Sequence, residues 1–271
     1  MKQHTDGEDN KQITDLISKL LSIIEKIDDG KDILPEAPID YIAAIGTLRK
    51  DFLLAKDVLA IMESGSGLGA EALGRIIVED MIFLRYLKSQ SDQQVKDRFM
   101  FHPSVQHYQM FQEAKQHGID LGDISDYKNK FDAHEGMFRR VDGTYWNNWA
   151  CKKMADIFDA VIDADLSGGA AEMMPFVISA YDKGSEIIHH NATVIMMLNI
   201  SEGFREIGKI RAFNGLSDTF LALADVTEIA INEKRQRQDD GSAFLEEQIE
   251  LISVVEDYND AQLAMNKSLG Y

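Results

Sequence analysis

Apolar residues recur at three- and four-residue steps along almost the whole chain, the period of helices with one side against a core. Ile13, Leu16, Ile17, Leu20, Leu21, Ile24 and Ile27 form the first such stripe, closed by Gly30. After KDILPEAP a second helical pattern runs from Ile39 to Met62 and stops at SGSGLG, whose glycines and serines suit a turn. The next stretch, AEALGRIIVEDMIFLRYLKS, is apolar on all faces around a few charges, as a central buried helix would be.

Ser91 and Gln94 have capping-box spacing for the following helix, Pro103 should break or kink it, and Gly118 should end it. A helix is expected from Tyr127 to Arg140, then a short loop, VDGTY, then a helix from Asn147 to Ile162. DADLSGGAAE is the plainest loop. Beyond it lie an apolar helix, SAYDKGSEIIHHNATVIMMLNI, a helix from Ile210 to Arg235, a break at DDGS, and a last helix from Ala243 to Lys267. No segment alternates as a strand between hairpin turns, and no fixed-period repeat occurs. The expected fold is an all-α, multi-helix bundle of about eight to ten helices. One domain over residues 1–271 is expected, with 1–64 a candidate semi-independent hairpin.

Composition narrows the setting. A 271-residue chain can bury about 75% of its unfolded surface, enough core to dispense with disulfides or a structural metal. The single cysteine, Cys151, cannot pair within the chain, and MKQHTDGEDN is no secretory leader, which points to a cytoplasmic setting. Apolar runs such as NATVIMMLNI reach about half of the ~20 residues of a membrane span, so no membrane association is expected. A net charge of -18 disfavours nonspecific binding to nucleic acid. The acidic block FLEEQIELISVVEDYND reads as one solvated helix face.

Polar residues inside apolar helices carry the candidate chemistry. Tyr181, Ser185 and His189 are spaced four apart, as are Arg75 and Glu79, and residues so spaced are neighbours on a helix. An unpaired interior charge is very costly, so a buried arginine and carboxylate need each other or further partners. The five residues are therefore expected to converge, either as a polar network that fixes helix register or as a site.

LGRIIVEDMIFLRYL, WACKKMA and YDKGSEIIHH together resemble an uncharacterised all-helical family, domain of unknown function 5677. Its members carry an Arg-x3-Glu helix and a Tyr-x3-Ser-x3-His helix, matched here by Arg75 with Glu79 and by Tyr181, Ser185 and His189. The resemblance covers residues 40 to 200. It implies a helical, bacterial or phage-borne protein and supplies no activity.

Other chemistries find less support. Glu186 and His189 make Glu-x-x-His, half of a dinuclear metal motif, but no second copy exists, and no metal site is expected. Arg98 and His102 lack the spacing of helical ribonucleases of the higher-eukaryote-and-prokaryote nucleotide-binding type, and beside Pro103 they read as a surface helix end. Ser185 has His189 as a possible base, but no oxyanion site is legible. GSGLG and LSGGA lack a phosphate loop's lysine and read as turns. RRVDGTYWNNWACKK mixes basic and aromatic residues that could stack a nucleotide, though tryptophans at a helix start are more often core anchors. KRQRQ, offset by Asp239 and Asp240, reads as a solvated helix end.

Two function classes follow. One is an interaction or regulatory module with a protein partner, a second copy of the chain among the candidates. The other is an enzyme or ligand sensor acting on nucleotides or RNA, in nucleic-acid metabolism or antiviral defence. In it His189 is the acid or base, Arg75 binds phosphate, Glu79 orients one of them, and Ser185 and Tyr181 line the pocket. The cofactor is unknown.

Overall fold

The computed structural model describes residues 6–28, 30, 36–63, 67–119, 122–165, 174–175, 177–181, 203–238 and 242–269. Among them are eight α-helices and one 3₁₀ turn, and no strand. The helices are α1 (Asp6–Ile27), α2 (Ile39–Glu63), α3 (Gly67–Ser89), α4 (Gln93–Gln116), α5 (Ser125–His134), α6 (Met154–Ala164), α7 (Gly203–Gln236) and α8 (Leu245–Leu269). The all-α expectation holds. The chain divides into two compact units, one of Met1–Leu84 with Gly169–Tyr271 and the other of Arg85–Gly168.

In the first unit α1 packs against α7 and α8, and α2 packs against α7. The α1 stripe is what the periodicity predicts, with Ile13, Leu16, Ile17, Leu20, Leu21, Ile24 and Ile27 all buried. The C-terminus of α1 is tied down twice, because its last carbonyls have no partner inside the helix. Lys234 of α7, itself buried, donates from Nζ to the Ile27 carbonyl at 2.6 Å. Arg49 of α2 grips the Asp28 carboxylate with two bonds of 2.9 and 2.7 Å and so holds it below the usual aspartate range. Gly30 then turns the chain at φ +66. KRQRQ is a solvated end only in its second half: Lys234 is buried and Arg235 Nε bonds the Ala243 carbonyl at 2.7 Å, whereas Gln236, Arg237 and Gln238 are exposed, Arg237 lying 4.5 Å from the Tyr41 ring centre.

Helices α3 and α7 cross backbone to backbone. A Cβ on Gly215 would lie 2.4 Å from the Glu71 nitrogen, and one on Gly74 would lie 2.8 Å from the Gly215 carbonyl oxygen. Only hydrogen fits at both positions. Beside the crossing Arg211 Nη1 reaches the fully buried Glu71 at 3.0 Å, and Thr219 returns its hydroxyl to the Gly215 carbonyl at 2.7 Å.

In the second unit an aromatic seam joins α4 to α5. Phe101 stacks on His134 with ring centres 3.7 Å apart, Tyr108 meets Phe131 at 4.6 Å, and Phe111 meets Tyr127 at 4.9 Å. Pro103 does not break α4, which runs through it from Gln93 to Gln116. Burial of His102 and Val105 on either side of it, with His102 against Phe138 at 5.3 Å, offsets the backbone bond the proline forgoes. Arg98 and His102 are therefore mid-helix, and the surface helix end expected for them is wrong. The cap of α4 is Asp92, not Ser91: its carboxylate accepts from the Gln94 nitrogen at 2.9 Å. Gly118 at φ +76 closes the helix in a Schellman turn, with Ile119 bonded to the Ala114 carbonyl and Gly118 to that of Lys115, both at 3.0 Å.

Helix α5 stops at His134 and gives way to the 3₁₀ turn Glu135–Met137. Arg139 pairs with Tyr145 across the turn formed by VDGTY. α6 begins at Met154, seven residues after the expected start. Cys151 holds φ at 53, a left-handed conformation that no helix can run through. Trp149 still anchors locally, 5.7 Å from the Tyr86 ring and 5.3 Å from that of Phe99.

Candidate functional site

Helix α3 carries charge along one stripe, Glu71, Arg75 and Glu79, each one turn from the next. Arg75 is 9% exposed, and its Nη2 sits 3.3 Å from Glu79 Oε2. From the other side Tyr181, last of the helical residues 177–181, lays its ring 4.5 Å from the guanidinium carbon. Three of the five expected residues thus come together around one guanidinium. Ser185 and His189 lie outside the described residues.

Burial pushes the Glu79 carboxyl above the ordinary glutamate range. The Arg75 charge opposes that rise and the neighbouring Asp80 adds to it. Among the described residues nothing accepts a hydrogen bond from Arg75 Nε. The guanidinium is occupied by an ion pair at one end and covered by a ring, while its nearer nitrogen keeps a donor in hand.

Beside the stripe, one position on from Glu79, Asp80 belongs to a carboxyl pair that the sequence did not single out. Asp51 of α2 is fully buried, and burial first, then the charge of Asp80, pushes it up to about 9. The two carboxyls titrate as a pair, and both burial and the Asp80 charge favour the protonated form of Asp51. Lys50 meets Asp80 from the next position on α2, at 2.9 Å from Oδ1 and 2.6 Å from Oδ2. Alternating Lys50 and Asp51 against Glu79 and Asp80 was the available signal. It is weak, because charged i,i+1 pairs at a helix crossing look like surface charge until the crossing is known.

Glu71 and Arg211 were also missed. Glu71 is fully buried, and its bond to Arg211 offsets part of the cost of burying its charge. The Glu-x3-Arg-x3-Glu run was legible in the sequence; its partner 140 residues away was not.

Elsewhere the groups are separate. A concavity of about 310 Å3 between α1 and α2 is lined by Ile24, Glu25, Asp28, Arg49, Phe52 and Leu53, none of them a sequence candidate. Of the basic and aromatic residues near VDGTY, Arg140 covers the Trp146 ring at 4.2 Å and Arg139 bonds Glu135 at 2.8 Å, so both cations are engaged within the chain. No cluster of three or more His, Cys, Asp or Glu set to hold a metal ion occurs among the described residues. Among them, too, no helix is long and apolar enough to cross a membrane.

A family model described as a family of unknown function, DUF5677, matches residues 41–206, well over half of the chain and including all five sequence candidates. No curated protein matches the chain. No solved structure matches it either.

Proposed function

We propose, for a chain that belongs to the family of unknown function DUF5677, that it acts as an interaction or regulatory module whose buried polar residues fix the packing of its helices. One observation carries this reading: the Arg75 guanidinium is taken up by the chain's own Glu79 and Tyr181. An arginine that recognises a phosphate offers its planar fork to the ligand. Here burial, a carboxylate and an aromatic ring already occupy it.

The enzyme or sensor reading rests on the same residues. It is favoured by the idle Arg75 Nε, which would donate a hydrogen bond to an anionic oxygen of a nucleotide or RNA. His189 would then supply the proton transfer. Urea unfolding of Arg75→Met separates the two, run beside native mass spectrometry of wild type and His189→Ala. An architectural arginine, when removed, leaves the half-buried Glu79 without its ion-pair partner, lowering stability by about 1–3 kcal/mol, and Arg75→Met/Glu79→Gln recovers part of it. An unchanged unfolding midpoint in Arg75→Met, with a retained nucleotide mass lost in His189→Ala, would replace the module by a ligand site.

A further inference from the structure

Helix α8 has two apolar faces, and the fold uses one. Leu251, Val254 and Tyr258 are buried, with Tyr258 stacked on Phe220 of α7 at 4.3 Å. At about 100° per residue, Leu245, Ile249, Ile252 and Leu263 fall on a single stripe on the opposite side. They are 49%, 59%, 52% and 55% exposed. Leu245, Ile249 and Ile252 make one continuous run of large aliphatic side chains on a solvated helix, with Leu263 further along the same stripe, which goes beyond the scattered apolar residues of ordinary surfaces. The acidic block of the sequence is therefore only half a solvated face: exposed Glu246, Glu256 and Asp260 border or interrupt this stripe.

Charge selects the occupant. From Leu245 to Ala264 the helix has no lysine, arginine or histidine, so a second copy laid on this face would set acid against acid. The cations Lys234, Arg235 and Arg237 could not relieve that, since they bond Ile27, Ala243 and the Tyr41 ring. Residues 182–202 are no better suited: their one lysine is outnumbered by Asp182, Glu186 and Glu202. Lys19 and Lys26 of α1 pair with Asp257 and Glu250 on the flank nearest the core, which leaves the outer acids for a partner.

We infer that the outer face of α8 docks a basic amphipathic helix of another protein. The partner's aliphatic side chains would cover Leu245, Ile249, Ile252 and Leu263, and its lysines and arginines would meet Glu246, Glu256 and Asp260. This names the partner class for the module proposed above and rests on that reading.

The test uses the full chain and three labelled synthetic peptides, followed by fluorescence anisotropy. One peptide is helical, with leucines at i, i+4 and i+7 flanked by lysine and arginine; the second replaces those cations by glutamate; the third scrambles the first. The first should bind, more weakly as salt rises, and the other two much less. Ile249→Ser/Ile252→Ser should weaken binding about ten-fold and Glu256→Gln/Asp260→Asn should flatten its salt dependence. Both pairs are exposed, so the unfolding midpoint should not move.

Equal binding of all three peptides, or unchanged binding by Ile249→Ser/Ile252→Ser, overturns the docking surface. So does sedimentation showing a wild-type dimer that this double variant turns into monomer. Failure of the basic peptide to bind, while Arg75→Met still destabilises the fold, overturns the surface and leaves the module reading standing.

Discussion

Lys234 and Ile27, 207 residues apart, are joined by a 2.6 Å hydrogen bond from a buried ammonium to the last carbonyl of α1. The bond does two things at once: it satisfies an orphan carbonyl and places a positive charge at the negative end of a helix dipole. Its loss has a defined cost. Lys234→Met keeps the aliphatic stem and removes the donor, leaving the Ile27 carbonyl unpaired and the nearby Asp28 without one of its two favourable charges. Urea unfolding should show a loss of about 2 kcal/mol. An unchanged midpoint would mean that water replaces the ammonium at no cost.

The α3–α7 crossing makes a sharper comparison, because three glycines in helices should respond to the same substitution differently. Gly215→Ala drives a methyl into the Glu71 backbone and should be the worst, costing about 3 kcal/mol or more. Gly74→Ala meets the Gly215 carbonyl oxygen at a less severe distance and should cost less. Gly46→Ala in α2 meets nothing within 4 Å and should stabilise by about 0.5–1 kcal/mol through helix propensity. Thermal melts of the three variants give the order directly; any order that puts Gly46→Ala below wild type refutes the assignment.

Helix α5 has no buried residue. It is held instead by rings, with Phe131 between Tyr108 at 4.6 Å and Tyr145 at 5.9 Å. Phe131→Ala should therefore release α5 locally while α1, α2 and α7 stay protected. Hydrogen exchange at residues 125–134 should rise by about ten-fold or more, with little change in the exchange of α7. Uniform acceleration across the chain would instead make α5 part of one cooperative fold.

What the sequence revealed follows the range of the interactions. Periodicity is local, so the α1 stripe and the ends of α2 were legible, and Arg75 with Glu79 could be paired from spacing alone. Tyr181 could be added because a buried guanidinium demands company. Glu71 with Arg211, Lys234 with Ile27 and Asp51 with Asp80 were not legible, because each pairing exists only once two helices distant in sequence cross. Local errors had a different origin. The start of α6 was displaced by one left-handed residue, Cys151, whose conformation no propensity encodes. Pro103 was overruled by the packing of its neighbours, His102 and Val105.

Two buried titrating groups give the stability a predictable shape with pH. Asp51, at about 9 in the fold and about 4 when unfolded, binds a proton only in the native state between those values. Stability contributed by that proton falls as pH rises through the window, at up to about 1.4 kcal/mol per pH unit. His102 works the other way. Burial pushes its imidazole down to about 4, against about 6.5 unfolded, so between these values the unfolded chain binds the extra proton and stability rises with pH. The two slopes oppose each other from pH 4 to 6.5, and above 6.5 only the Asp51 slope is left. Urea midpoints should therefore decline from pH 7 to 9. Asp51→Asn should flatten that decline, and His102→Phe should expose the same fall from pH 5 upward. Stability that stays flat between pH 7 and 9 in the wild type would show that Asp51 is already ionised in the fold, because a carboxylate charged in both states adds no slope.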